Sequence, residues 1–405
     1  MTTFQSLGAN LPAVAIEIDF ENDPTSASYT WVDVTPYVRG FQIKRGRDSA
    51  LSRPNAGSLQ LTLSNADGRF DPTNTAGAYS PDVLPMRRIH ALAQWAGVTY
   101  NLFTGYILDW PVGFDPSNRD STVQVQAADA FAILDTFDLV GKNYSAELSS
   151  TRVQNVLSDC GIGSALWDIS TGQSTMVASG TIATGTTATA HLLDVMASEN
   201  GFVYPDAGGT IRFQDRHFRI KNRATSSGTV GTGGGLIGYR DIRTSYGVGE
   251  IWNVIQVTAN GGTAETVTDA ASTASYFKRV LAWPTGGQYL VTSQAEALSA
   301  AQYMGYLYAE PALRVPEVAV VAAGATANWG TVLAVEISDR LTVNHVAPWG
   351  GTISGDKHIE SIEHDVKFDR EWDTRYLMSD ASSQTFWVLG SSTNSLLGST
   401  TYLSY

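Results

Sequence analysis

The sequence predicts a mainly β protein, α+β overall, with two β-barrel or sandwich units and a small α+β domain inserted between them. Three observations carry this. Short period-two runs with Asp-Gly and Pro-containing turns fill the first third of the chain. Helical periodicity replaces them near Asp135, and alternation returns after Pro311. The composition suits short strands and many turns: 38 Gly in 405 residues, 43% hydrophobic and only 16% charged.

The first unit spans residues 1–135. Val14, Ile16, Ile18 and Phe20 alternate with Glu17 and Asp19, which predicts a half-buried strand with its acids toward solvent. Phe41 and Ile43 alternate with Gln42 and Lys44; Leu59, Leu61 and Leu63 alternate with Ser58, Gln60 and Thr62. Ile89–Trp95, Tyr100–Trp110 and Thr122–Ala127 continue the run, and Ala127–Leu134 reads as a short helix. About six strands at this spacing make a sandwich or a closed barrel.

The inserted α+β domain spans residues 136–225. Thr151–Cys160 and Thr186–Asn200 read as amphipathic helices, the second with Gly201 as C-cap. Phe202–Tyr204 and Thr210–Gln214 flank a Gly-Gly turn and read as a hairpin. Residues 226–290 read as a connection, with Ser226–Gly238 a Gly-rich linker and Ile251–Ala259 a strand. The last unit, 291–385, opens with the capping box Ser293-Gln-Ala-Glu296 and a helix ended by Pro311. Strands are expected at Glu317–Ala322, Thr331–Ile337, Arg340–Asn344, His358–Phe368 and Thr374–Met378. Residues 386–405, with Trp387, Leu389 and Tyr402, read as a docking tail. No residue-level repeat relates the two β-units.

A net charge of -13 disfavours long-range attraction to nucleic acid or anionic membranes. The densest basic cluster, Arg39, Lys44, Arg45, Arg47 and Arg53 with Arg87 and Arg88, reads as a solvated or subunit-docking patch. Cys160 is the single cysteine, so no intrachain disulfide forms, and its apolar neighbours predict a buried thiol. No secretion signal or membrane anchor is expected.

The candidate chemistry is sparse. Gly233-Gly-Gly235-Leu-Ile-Gly238 matches a dinucleotide pattern, but no βαβ unit surrounds it, so it reads as a loop. His358, Glu360 and His364 are the one weak metal candidate: on a regular strand they share a face, with Glu363 turned away. A solvated strand face is the plainer reading. The oxygen-rich stretch from Asn65 to Asn74 lacks an EF-hand register. It reads as an Asx-turn in which Gly68 supplies positive φ and Phe70 anchors the loop. No nucleophile elbow or peptidase signature is present, and no cofactor or catalytic residue is expected.

Several phrases recur together: Trp31-Val-Asp33-Val-Thr35-Pro-Tyr37, then Gly46-Arg47, then Asn65-Ala-Asp67-Gly68-Arg69-Phe70-Asp71-Pro72. Leu102-Phe103-Thr104-Gly105-Tyr106-Ile107 and Val123-Gln-Val-Gln-Ala-Ala-Asp129 follow. This set resembles minor tail proteins of long-tailed bacteriophages and prophages, especially those of actinobacterial hosts, of the baseplate-hub or tail-tip type. Residues 10–135 carry the resemblance and 150–385 are compatible with it.

The resemblance implies two tube-type β-barrels per chain and a homotrimeric ring that closes the tail tube. Such a ring joins the sixfold tail to threefold fibre or tip proteins. Its implied partners are itself, the distal tail protein ring, the tape measure protein and the tail-tip fibres. Genomic DNA passes through, and an acidic lumen repels its phosphates. The implied location is the virion tail tip, with synthesis in the host cytoplasm. Many hub proteins carry a further hydrolase or fibre region; the expectation here is that such activity sits on another protein. Two other readings stand beside this one: a hexameric distal tail ring protein, and a host-surface glycan-binding or hydrolysing tail protein.

Overall fold

The computed structural model describes residues 2–381 except 9, 25, 27, 117–118, 222–225, 233–234, 321–327 and 369–370. The docking tail expected at 386–405 lies outside the described residues, as does part of the Gly233–Gly238 loop.

A curled, mostly antiparallel 15-stranded sheet dominates. Its path runs Gln5–Ser6, Ala13–Asp19, Arg88–Trp95, Val98–Asp109, Ser121–Ala128, Ser58–Ser64, Val38–Gly46, Thr352–Lys367, Glu371–Asp380, Arg314–Val320, Tyr239–Ser245. The two β-units are therefore joined edge to edge. The join is the Thr352–Lys367 strand. Its first half pairs with Arg340–Val346, and its second half pairs with Val38–Gly46, from Ser361 opposite Gly46 to Lys367 opposite Gly40.

One face of the sheet closes on an apolar core that includes Ile16, Phe41, Leu61, Phe103, Val125, Ile362 and Tyr376. The expectation for Ala13–Asp19 needs correcting: both faces are buried, not one. Glu17 is 5% exposed and Asp19 1%. Glu17 bonds the His90 ring at 2.6 Å, and Asp19 takes the amide and backbone N–H of Asn22. Polar residues on a two-sided strand are tolerated because each finds a partner.

The insert contains helices Ser149–Asp159 and Ala188–Glu199 and a three-stranded sheet, with Trp167–Ile169 parallel to Ile211–Gln214 and Phe202–Pro205 antiparallel to it. Asn200, not Gly201, is the left-handed cap of the second helix, with φ 56°. Gly201 is needed for space, because a Cβ there would lie 2.3 Å from the Gln214 carbonyl oxygen. A further three-stranded sheet (Val254–Thr258, Ala264–Thr268, Val280–Trp283) packs under helix Gln294–Tyr308. Ser293 caps that helix through the Glu296 N–H, while the Glu296 carboxylate turns to Arg216 rather than closing the box.

Two more expectations change. Thr331–Ile337 is not a strand; Trp329–Ala334 is a short helix with Trp329, Val332 and Leu333 buried. The β-branched residues read as strand, but the i, i+3, i+4 spacing of these three sets one face into the core. Trp329 donates to the Asn10 carbonyl at 2.9 Å and packs near Trp95 and Trp372. The Ser226–Gly238 linker holds a strand, Gly228–Gly231, parallel to Arg340–Val346. Gly231 permits that approach, since a Cβ there would lie 2.8 Å from the Asn344 carbonyl oxygen. Among the described residues no helix is long and apolar enough to cross a membrane.

Candidate functional site

The residues singled out in the first unit converge on two turns. Asp33 Oδ1 accepts the Thr35 N–H at 2.9 Å, and Thr35 Oγ1 accepts the Ile16 N–H at 2.9 Å. These bonds pin the crossing between Trp31–Asp33 and Val38–Gly46. Trp31 stacks on His90 with ring centroids 3.8 Å apart. In the second turn Asn65 Oδ1 accepts the Phe70 N–H at 2.9 Å, and Gly68 has φ 68°. Phe70 is fully buried among Tyr37, Tyr79 and Trp110. Arg69 is clamped by Asp67 and lies 3.9 Å from the Tyr37 ring centroid. Asp71 accepts the Thr73 N–H at 2.8 Å, and Pro72 follows in the same turn. The loop is a self-satisfied plug, held by one amide and one aromatic anchor.

Phe103, Gly105 and Asp129 fasten strand to strand. A Cβ on Gly105 would lie 2.3 Å from the Ala128 carbonyl oxygen and 2.7 Å from the Phe103 ring, so only glycine lets these strands approach. Asp129 caps the helix Ala130–Leu134 through the Phe131 N–H and takes the Gly57 N–H at 2.7 Å. Burial pushes its carboxyl up to about 7, against the stabilising pull of those two donors.

Glu360 is the centre of the second constellation. A β-bulge between Ile359 and Ser361 leaves it as the extra residue where one edge of the Thr352–Lys367 strand passes from one partner to the other. Its carboxylate accepts from Arg47 Nε at 2.7 Å, from Arg219 Nη1 at 2.5 Å and Nη2 at 3.1 Å, and from Ser379 Oγ at 2.5 Å. Arg47 comes from the first β-unit and Arg219 from the end of the insert. The Phe202 ring of the insert lies under both guanidiniums, at 4.1 and 5.2 Å. Burial alone would favour the neutral acid, but the Arg219 and Arg47 guanidiniums hold the carboxyl well below the usual carboxylate range.

Gly46 makes this approach possible. Its φ is +102°, and a Cβ would lie 2.1 Å from the Glu360 carbonyl oxygen. The same oxygen accepts the Arg47 N–H at 2.9 Å. A second ion pair runs beside the first: Arg45 donates to Glu336 at 2.7 Å, and Glu336 also accepts the Ala207 N–H at 2.9 Å. One buried polar knot therefore ties strand Val38–Gly46 and Arg47 to residues near 207–219 and 336–360.

The bulge also corrects the metal candidate. His358 pairs with Ser379 and His364 with Thr374, positions of opposite parity on the neighbouring strand. The two imidazoles lie on opposite faces, and none of the three residues is solvated: each is under 5% exposed. Burial pushes both imidazoles down to about 3, with Arg219 adding to the shift at His358 and Arg45 at His364. Among the described residues no group of His, Cys, Asp and Glu is placed to hold a metal ion.

The basic cluster is likewise not a solvated patch. Arg45, Arg47, Arg87 and Arg88 are buried, while Arg39, Lys44 and Arg53 pair with Asp120, Asp48 and Asp194. Cys160 is buried, and burial pushes its thiol up to about 11. Sequence reasoning missed Arg219, Glu336 and Phe202. Arg219 meets Glu360 across 141 positions and Glu336 meets Arg45 across 291, while Phe202 packs under Arg47 from the insert, and no local spacing marks these contacts.

Solved structures share this architecture. The chain is similar to the 43 kDa tail protein of prophage MuSo2 from Shewanella oneidensis, with TM-score 0.59 and 13% identity over 91% of this chain and 97% of that one. A tail protein from Neisseria meningitidis MC58 gives TM-score 0.59 and 10% identity over 92% and 97%. The fold is that of phage tail proteins. The E. coli c3393 protein, a type VI secretion component described as similar to the T4 tail proteins gp27 and gp5, gives TM-score 0.50 and 10% identity over 85% and 73%. No protein-family model and no curated protein sequence matches the chain.

The tail-protein fold presents one broad polar surface, the outer face of the main sheet. Asp373, Asp365, Gln42, Gln60 and Gln126 stand in register across five strands of both β-units. Gln42 donates to Asp365 at 3.0 Å. On either side Lys44 pairs with Glu363, Arg240 with Asp373, Lys367 with Glu371 and Arg375 with Glu317. This face is amide-lined and ion-paired rather than uniformly acidic.

Proposed function

We propose that this chain is a structural virion protein, a tail-tip baseplate hub without enzymatic activity of its own. Three copies form a ring that closes the tail tube and adapts the sixfold tail to threefold tip proteins. Its neighbours are the distal tail ring, the tape measure protein and the tip fibres. The polar sheet face lines part of the DNA exit channel.

The observation that carries this reading is the continuous sheet. Two β-units of one chain contribute to a single surface, so three chains supply six units around an axis. The register row from Asp373 to Gln126 crosses from one unit to the other without a break. Each cation bordering the row already has a carboxylate partner. Phosphates therefore meet amides and neutralised charge, and counterion release, the main source of non-specific DNA affinity, is small. The near-complete two-way coverage of two solved tail proteins supports the same reading.

Symmetry-resolved imaging of the tail tip tests it. Three copies around the axis, with Gln42 and Gln60 toward the lumen, are expected. Six copies would make the chain a distal ring protein, and copies off the axis would overturn both assignments.

A further inference from the structure

A cavity of about 330 Å³ lies between the first β-unit and the insert. Its walls are largely apolar, with Tyr29, Tyr106, Ile133, Leu166 and Ile211 among them, and Arg88 also faces it. Arg88 is 6% exposed and has no ion-pair partner among the described residues. That is unusual in this chain, where Arg45, Arg47, Arg87, Arg152 and Arg219 all pair with carboxylates.

The guanidinium is held in place without being neutralised. It donates through Nη1 to the Tyr29 hydroxyl, and lies 4.2 Å from the Tyr29 ring centroid and 5.5 Å from that of Tyr106. Its Nε is buried with no hydrogen-bond partner. Nη2 points to the cavity wall at Gly209. The cross-strand neighbour Asp19 makes no ion pair with it; both Asp19 oxygens accept from the Asn22 amide instead. A buried cation without an ion-pair partner is costly, and Nη2, the end of the guanidinium with no hydrogen bond, is placed to donate to a carboxylate oxygen.

We propose that this cavity binds an amphipathic monocarboxylate. A carboxylate oxygen sits on Nη2 of Arg88. An unbranched apolar body of about ten carbons fills the space between Tyr106, Ile133 and Leu166, a volume at the small end of ligand pockets. The mouth is rimmed by Gly161, Gly163 and Ala165, all exposed, so entry needs no opening of the core. The site is independent of the proposed place in the tail.

The test is calorimetric titration of the full chain with decanoate, and with 1-decanol as its uncharged match. Wild type is expected to bind one decanoate saturably, and decanol at least tenfold more weakly. Arg88→Met keeps the bulk but removes the charge, and is expected to lose at least tenfold in decanoate affinity while leaving decanol binding within threefold. Ala165→Trp, at the exposed rim, is expected to block both. Each variant is checked by circular dichroism, and Arg88→Gln, also uncharged, stands in with the same expected loss if Arg88→Met does not fold. Absence of saturable decanoate binding to wild type overturns the proposal. So does unchanged decanoate binding in Arg88→Met or in Ala165→Trp. Binding only of an acidic peptide, and not of decanoate, would also overturn it and make the cavity a protein-docking site.

Discussion

Replacing Glu360 with Gln removes the single negative charge shared by the buried Arg47 and the partly buried Arg219 guanidiniums. Glu360 is completely buried and receives bonds from Arg47, Arg219 and Ser379. A glutamine keeps the shape but turns one acceptor into a donor aimed at a cation. Breaking a buried ion pair from one side costs about 3–5 kcal/mol, because the remaining charge is left uncompensated. With two cations left behind, the upper end of that range is expected. A loss of this size lowers Tm by roughly 5–10 °C in a large domain. The assay is urea unfolding at pH 7 followed by tryptophan fluorescence, with hydrogen exchange at the Arg47 amide, which donates to the Glu360 carbonyl at 2.9 Å. The sign of the pH dependence follows from the depressed carboxyl. Its stabilisation is present above the unfolded carboxylate range and is lost as pH falls through the lower folded value. The gap between wild type and Glu360→Gln should therefore narrow below about pH 4. The triple replacement Arg47→Met, Arg219→Met, Glu360→Leu should be far milder than Glu360→Gln, since an apolar substitute needs no counter-charge. A Glu360→Gln loss under about 1 kcal/mol, or a triple variant as unstable as the single, would refute the account of the knot.

Four further outcomes follow from the same geometry. Gly46→Ala meets both a positive φ and the Glu360 carbonyl, so a loss of about 3 kcal/mol or more is expected in urea titration. Asn65→Ala leaves the buried Phe70 N–H without its acceptor and should cost about 1–3 kcal/mol, read by the same titration. Asp129, with its carboxyl raised to about 7, binds a proton on folding between the unfolded and folded values. Stability should thus fall as pH rises from about 4 to about 7, and Asp129→Asn should flatten that slope in a Tm-versus-pH series. Zinc or a chelator should leave Tm unchanged within error, because His358 and His364 face opposite sides of the sheet.

Much of the β architecture is legible in the sequence because its signals are local. Leu59, Leu61 and Leu63 alternate, and they line the core side of Ser58–Ser64. Ser293 and Glu296 announce a helix, and Gln294–Tyr308 begins there. The strand at Thr331–Ile337 failed because β-branched composition outweighed a four-residue helical spacing that only core packing could enforce. The solvated faces expected at Glu17, Asp19 and His358–His364 failed for one reason. Alternation reveals which side chains share a face of a regular strand, but not whether the other face is covered. A bulge then changes the parity outright.

By itself the sequence determined the mainly β fold class, the Asn65–Pro72 plug and the tail-protein resemblance. Each depends on neighbours within a few residues, or on turns that only Gly or Asn can make. Only tertiary structure decided that the two β-units share one sheet, that Gly46-Arg47 meets Glu360, and that Arg219 closes the knot. Those contacts join residues separated by 141 to 313 positions. At such separations a charge or a glycine carries no mark of its partner until the chain has folded, because burial and register, not spacing, select the pair.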